Sequence, residues 1–158
     1  MGERRSAAFS LLELAIVLVV IAAIAAIAVV RLSTLKRNTA MQSAHSSLRV
    51  YARAALQYLD EWKGLPPDRG PGVFPPEFTG YFAAKPFTQP TPVGGNWDWN
   101  GTTASPWNAV GPSMSIHINP KPAKLWETMD ARFDDGVLTT GILRLHNSNR
   151  NFCFMLQP

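Results

Sequence analysis

For 55 residues, from Phe9 to Lys63, the chain contains neither proline nor glycine. Nothing in that stretch breaks a helix, since proline and glycine are the two residues a helix interior tolerates worst. All 13 prolines lie at Pro66 or later, as do nine of the 11 glycines. That second composition suits a loop-rich domain, so the sequence divides near Gly64. Acidic residues are also missing, from Leu14 to Leu59, where five bases stand. Residues 1–63 hold eight bases and four acids, net +4, while residues 64–158 hold seven of each and are neutral. The basic pI therefore belongs to the N-terminal part. A nucleic-acid partner would need a basic face on the folded module, and the neutral remainder offers none.

Cysteine is nearly absent. The lone Cys153 excludes an internal disulfide, and there is no CxxC or Cys/His metal spacing. Its apolar neighbours in Asn151–Gln157 give it the ordinary reading of a small buried side chain. Catalytic signatures are missing too: no HExxH, no GxSxG, no phosphate-binding glycine loop and no paired-carboxylate pattern. His45, His117 and His146 are isolated in sequence, and the latter two fall on expected strands as ordinary core or surface histidines. The expectation is a protein that is not an enzyme and has no cofactor.

What is present begins with Leu14–Val30, 17 consecutive residues without a polar side chain. Extended back to Ala7, the run is broken only by Ser10 and Glu13. About 20 such residues cross a bilayer core as a helix. A secretory signal would have a shorter apolar core followed by a small-residue cleavage site, whereas this run continues into an amphipathic segment. Flanking bases do not settle orientation, because Arg4 and Arg5 precede the run and Arg31, Lys36 and Arg37 follow it. Glu13 stands out, since a carboxylate in an apolar helix needs a partner or a proton unless it lies at headgroup level. The run itself contains no cation.

The segment Arg4-Arg5-Ser6-Ala7-Ala8-Phe9-Ser10-Leu11-Leu12-Glu13-Leu14 resembles the N-terminal signal of type IV prepilins and type II secretion pseudopilins. Those sequences have a short basic leader, a small residue, Phe, a polar residue, two aliphatics, Glu and a long apolar helix. The likeness spans about residues 4–30, with Ala8 where glycine is usual and no proline near Val30. It implies cleavage between Ala8 and Phe9 by a prepilin peptidase, then N-methylation of Phe9. It implies that Glu13 pairs with the freed amine of a neighbouring subunit during assembly. It further implies a bacterial inner-membrane protein with a cytoplasmic N terminus and a periplasmic head. Its partners would be other pilin-like subunits, an assembly platform and membrane lipid.

Past the apolar run, Leu32, Leu35, Met41, Ala44, Leu48, Tyr51, Ala52, Ala55, Leu56, Leu59 and Trp62 recur at three- and four-residue steps. They form one stripe of an amphipathic helix needing a surface to pack on. The spacing predicts a helix over 10–63, ended by Gly64 and Pro66-Pro67. Its bases make a solvated face or touch anionic headgroups.

Residues 65–112 read as irregular but too aromatic for disorder, with a helical turn near Pro76–Ala84. Ser113–Asn119 alternates as a strand, Pro122–Phe133 reads as a short helix ended by Asp135-Gly136, and Gly141–His146 and Phe152–Gln157 read as strands about the turn 147–150. The fold class expected is α+β, with a long helix packed on a small antiparallel sheet and a loop-rich head. Its parts are a leader (1–8), a membrane and assembly half-helix (9–30), an amphipathic half-helix (31–63) and a head (64–158). Two sites remain open in the head. Trp97, Asp98 and Trp99 either pack on their own domain, as such residues more often do, or form a recognition loop contacting sugar or peptide, the basis of an alternative reading as a membrane-tethered periplasmic binding module. Asp130, Asp134 and Asp135 suit calcium, or simply a solvated helix end.

Overall fold

The computed structural model describes residues 10–101, 111–119, 122, 124–146 and 150–156. The leader, Phe9, the segment 102–110 with Trp107, and residues 147–149 of the expected turn lie outside them. Two compact units divide the chain, Met1–Thr39 and Ala40–Pro158. One helix, α1 (Leu11–Trp62), contributes to both.

In the first unit α1 buries nothing. Its most apolar 18-residue window has mean hydropathy 3.0, and none of that window is covered by protein. Length and composition make it able to cross a membrane. Leu32 and Leu35, expected on the packing stripe, are 53% and 60% exposed. Where the apolar run ends, Ser33 Oγ and Thr34 Oγ1 donate to the Val30 carbonyl at 2.8 and 3.2 Å.

In the second unit the same helix is one wall of a core. Met41, Ala44, Leu48, Tyr51, Ala52 and Ala55 are buried, at the helical steps of the apolar pattern. The helix ends at Trp62, one residue short of the expected end at Lys63. Lys63 takes the left-handed conformation (φ 54°), with its N–H on the Leu59 carbonyl at 2.8 Å and its ammonium on Asp60 Oδ1 at 2.9 Å. These two bonds hold a non-glycine residue where glycine is usual.

The sheet has four antiparallel strands in the order β1-β2-β4-β3: β1 Asn96–Asn100, β2 Ser113–His117, β3 Leu143–His146 and β4 Asn151–Met155. A 3₁₀ turn (Pro76–Phe78) and a short helix α2 (Ala84–Phe87) replace the single expected turn. Helix α3 spans Leu125–Phe133, three residues shorter at its start than Pro122 implied. Lys124 precedes it at φ 65°, which stops the helix from extending back. The fold is α+β, as the sequence indicates.

Side chains alternate across the sheet. Trp97, Trp99, Met114, Ile116, Phe152 and Leu143 face the core with Leu48, Tyr51 and Met129. Aromatic rings bind the layers: Tyr51 meets Trp97 edge-on at 5.3 Å, Phe78 meets Trp99 at 5.0 Å, and Trp126 stacks on Phe152 at 4.8 Å. Each fully buried ring stabilises the fold by about 2–3 kcal/mol. Gly95 (φ 76°) admits no side chain, because a Cβ there would lie 2.2 Å from the His117 carbonyl.

Candidate functional site

At the helix start, Ser10 and Glu13 close on each other. The Ser10 N–H and Oγ–H donate to Glu13 Oε2 at 2.9 and 3.0 Å, and the Glu13 N–H donates to Ser10 Oγ at 3.2 Å. This is a capping box, which satisfies amide donors that a helix N-terminus leaves unpaired. Its Ser-x-x-Glu signature stands in the sequence, and it gives Glu13 a local partner that charge alone does not reveal. Within one chain the carboxylate has Ser10 as its donor, and a carboxylate at this end also suits the helix dipole. Ala8 and Phe9, the expected cleavage and methylation residues, are not among the described residues.

The segment with the candidate recognition loop is the edge strand β1. Trp97 and Trp99 are 3% and 0% exposed, and the Trp99 indole N–H donates to the Pro66 carbonyl at 3.2 Å. The alternation that a strand imposes turns both indoles into the core. They are therefore not presented to a ligand, and the binding-module reading loses the residues it rested on. The glycines and asparagine before them looked like loop chemistry, and pairing with β2 decided otherwise.

Asp98 points to the opposite face of β1, into a buried polar layer. Asn151 Nδ2 donates to its Oδ2 at 2.9 Å and Ser115 Oγ approaches at 3.4 Å. Asn100 Nδ2 donates to Ser115 Oγ at 2.9 Å, and His117 Nδ1 lies 2.6 Å from Asn151 Oδ1. Burial, reinforced by the Asp68 charge, pushes the Asp98 carboxyl up to about 6. Cys153 sits in the same layer, 1% exposed, its thiol pushed up to about 12 by burial. A thiol so protonated is a poor nucleophile.

The three aspartates do come together. Ligand oxygens of Asp130, Asp134 and Asp135 lie within 4.8 Å of one another where α3 turns toward β3. Asp134 Oδ2 accepts the Ile142 and Leu143 amides at 2.5 and 2.7 Å. Asp135 accepts the Val137 amide at 2.8 Å and the Thr140 hydroxyl at 2.7 Å, and these bonds hold its carboxyl below the usual range. Asp130 is fully buried, and neither of its oxygens has a hydrogen-bond partner. Burial and the Asp134 and Asp135 charges push its carboxyl up to about 6, while the nearby Gly136 amide opposes the shift without reaching bonding geometry. Two orphaned buried oxygens beside two anchored carboxylates fit a hard divalent cation. Gly141 (φ 72°) lets the loop close, since a Cβ there would lie 2.1 Å from Asp134 Oδ2.

His45 on α1 stacks on Phe133 at 4.3 Å, and burial, with Arg49 adding, lowers its imidazole. An open groove of about 360 Å³ lies beside α1, lined by Ser43, Ser46, Ser47, Val50 and Phe82 among others. Its lining is three serine hydroxyls, the Tyr51 phenol and apolar side chains. Comparison with protein-family models, curated proteins and solved structures finds no match for the chain.

Proposed function

We propose that this protein is a structural subunit of a filament of the type IV pilus or type II secretion pseudopilus kind. One observation carries the reading: a single helix is apolar and bare in its first part and amphipathic and packed in its second. A bare helix of mean hydropathy 3.0 is stable in lipid or against other copies of itself, not in water. The prepilin-like signal over residues 4–14 supports the same reading. Before assembly the helix lies in the bacterial inner membrane, with its N terminus cytoplasmic and the second unit periplasmic. Prepilin peptidase cuts between Ala8 and Phe9, and Phe9 is N-methylated. In the filament, the freed amine of one subunit pairs with Glu13 of the next. An ion pair buried in low dielectric recovers much of what burying the carboxylate costs.

The capping box sharpens that role. Ser10 orients the carboxylate at the helix end, within reach of an amine delivered by a neighbour. The acidic corner of the second unit would hold calcium through Asp130, Asp134 and Asp135. A cation there compensates three clustered charges and ties the end of α3 to the start of β3.

N-terminal mass spectrometry of the membrane-extracted protein tests the reading. The expected mature chain begins at a methylated Phe9. A chain that keeps residues 1–8 and forms no multimers overturns it.

A further inference from the structure

The last turn of α1 carries Asp60 and Glu61 and no base. That is the unfavourable end for acids, because the helix dipole is negative there. Next to them Trp62 is 67% exposed. An exposed ring is normally loose, but this one is fixed. Its Nε1–H donates to Tyr81 Oη at 2.9 Å, and Tyr81 Oη–H donates to Glu61 Oε2 at 2.5 Å. Gln57 Nε2 donates to Glu61 Oε1 at 3.1 Å. Tyr58 packs against Trp62 and Tyr81, with ring centroids 6.2 and 5.3 Å apart. The outcome is a held indole face with an oriented carboxylate beside it, both open to solvent. Fixed, exposed aromatics of this kind make efficient interface anchors, because little conformational freedom remains to be lost.

Lower on the same helix, Arg49 and Arg53 are exposed and one turn apart. Among the described residues the ion pairs are Lys63–Asp60 and Arg69–Glu77, so neither arginine has one. Arg49 lies about 18 Å of helix rise below Glu61, beyond reach within one chain. A guanidinium matches both halves of the upper patch, since it pairs with carboxylate and stacks on an indole face.

We propose that the Glu61–Trp62–Tyr81 patch of one copy docks the Arg49–Arg53 pair of another copy of this chain. The proposal rests on the filament reading and names a contact that reading leaves unspecified. In a filament, where copies follow one another in the same direction, the contact is head-to-tail and leaves each copy with a free patch for the next; an antiparallel two-fold pair would instead use both patches of each copy at once. Both charge patches lie on α1: Arg49 and Arg53 in the stretch without acids from Leu14 to Leu59, then two acids at the helix end.

The test is a charge swap in the full-length protein, scored by cross-linked multimers in membranes. Glu61→Arg and Arg53→Glu each lower multimer yield roughly tenfold, and the double variant recovers most of it. Added salt weakens the wild-type contact. Trp62→Ala lowers multimers while the circular dichroism melt of the full chain stays unchanged. Single swaps that assemble like wild type, or a double swap that recovers nothing while each variant keeps its fold, overturn the docking and leave the filament reading standing. Wild-type protein that forms no multimers overturns both.

Discussion

The two units use one helix in opposite ways. From Leu11 to Thr39 none of its residues is buried, and its apolar side chains face outward all round. From Ala40 to Trp62 it buries one stripe, and its exposed residues are polar apart from Val50 and Trp62. The difference is the period of the pattern. An apolar run without period asks for a solvent that is itself apolar, whereas a stripe at 3.6 residues asks for a single packing surface. The first part therefore depends on its surroundings, and the second carries its surroundings in the chain. Substitutions should show this as a split between assembly and stability.

The largest effect is expected at Glu13. Glu13→Gln removes the charge but keeps an oxygen for Ser10, so multimers should fall tenfold or more while the helix stays formed. A size profile of detergent-extracted protein alongside circular dichroism measures both. If the neutral variant assembles normally, the capping box is the whole role of this residue.

In the second unit the split reverses. Trp99→Ala should cost about 3–5 kcal/mol in unfolding free energy, because a fully buried ring with a satisfied N–H is removed. Urea unfolding followed by tryptophan fluorescence reads it.

Asp98 adds a pH dependence to that unit. Its folded value, about 6, lies above the ordinary 3.8. The folded state thus holds the proton more tightly, and stability from this group is full below about pH 4 and lost as pH rises through 6. Two pH units amount to about 3 kcal/mol. Asp98→Asn should remove that loss, so wild type and variant differ most at pH 7.5 and least at pH 4 in urea midpoints.

Calcium gives the next effect. At a hundredfold excess over its dissociation constant it should stabilise the second unit by about 2.7 kcal/mol, read as a rise in Tm. Asp130→Asn should abolish that rise. Without calcium the same variant should melt higher than wild type, because an orphaned buried carboxylate is gone.

The smallest effect is Ser10→Ala. Loss of the cap should lower helix content at the α1 start, at about 1 kcal/mol, and leave the second unit's Tm unchanged.

Much of the fold is legible in the residues. The pattern of α1, the alternation in β2 and the helical spacing of α3 each follow from local periodicity and breakers. The edge strand β1 is not, because Gly94-Gly95-Asn96 reads as a turn and two tryptophans with polar neighbours suit either face of a surface. Only the register with β2, Trp97 opposite Ile116 and Trp99 opposite Met114, decides that both rings face inward. The aspartates stand close in sequence, but their chemistry rests on Asp130 being sealed from donors while Asp134 and Asp135 are tied to the loop. The capping box is legible too, as Ser10-x-x-Glu13 at the start of an apolar helix.

By itself the sequence determined where this helix runs and which part of it can enter a membrane, since these depend on period, length and helix breakers along the chain. The tertiary structure alone decided that the tryptophans are core, that Asp98 and Cys153 share a buried polar layer, and that the acids and arginines of α1 form separate patches. Burial and pairing are set by residues distant in sequence, and no local pattern contains that information.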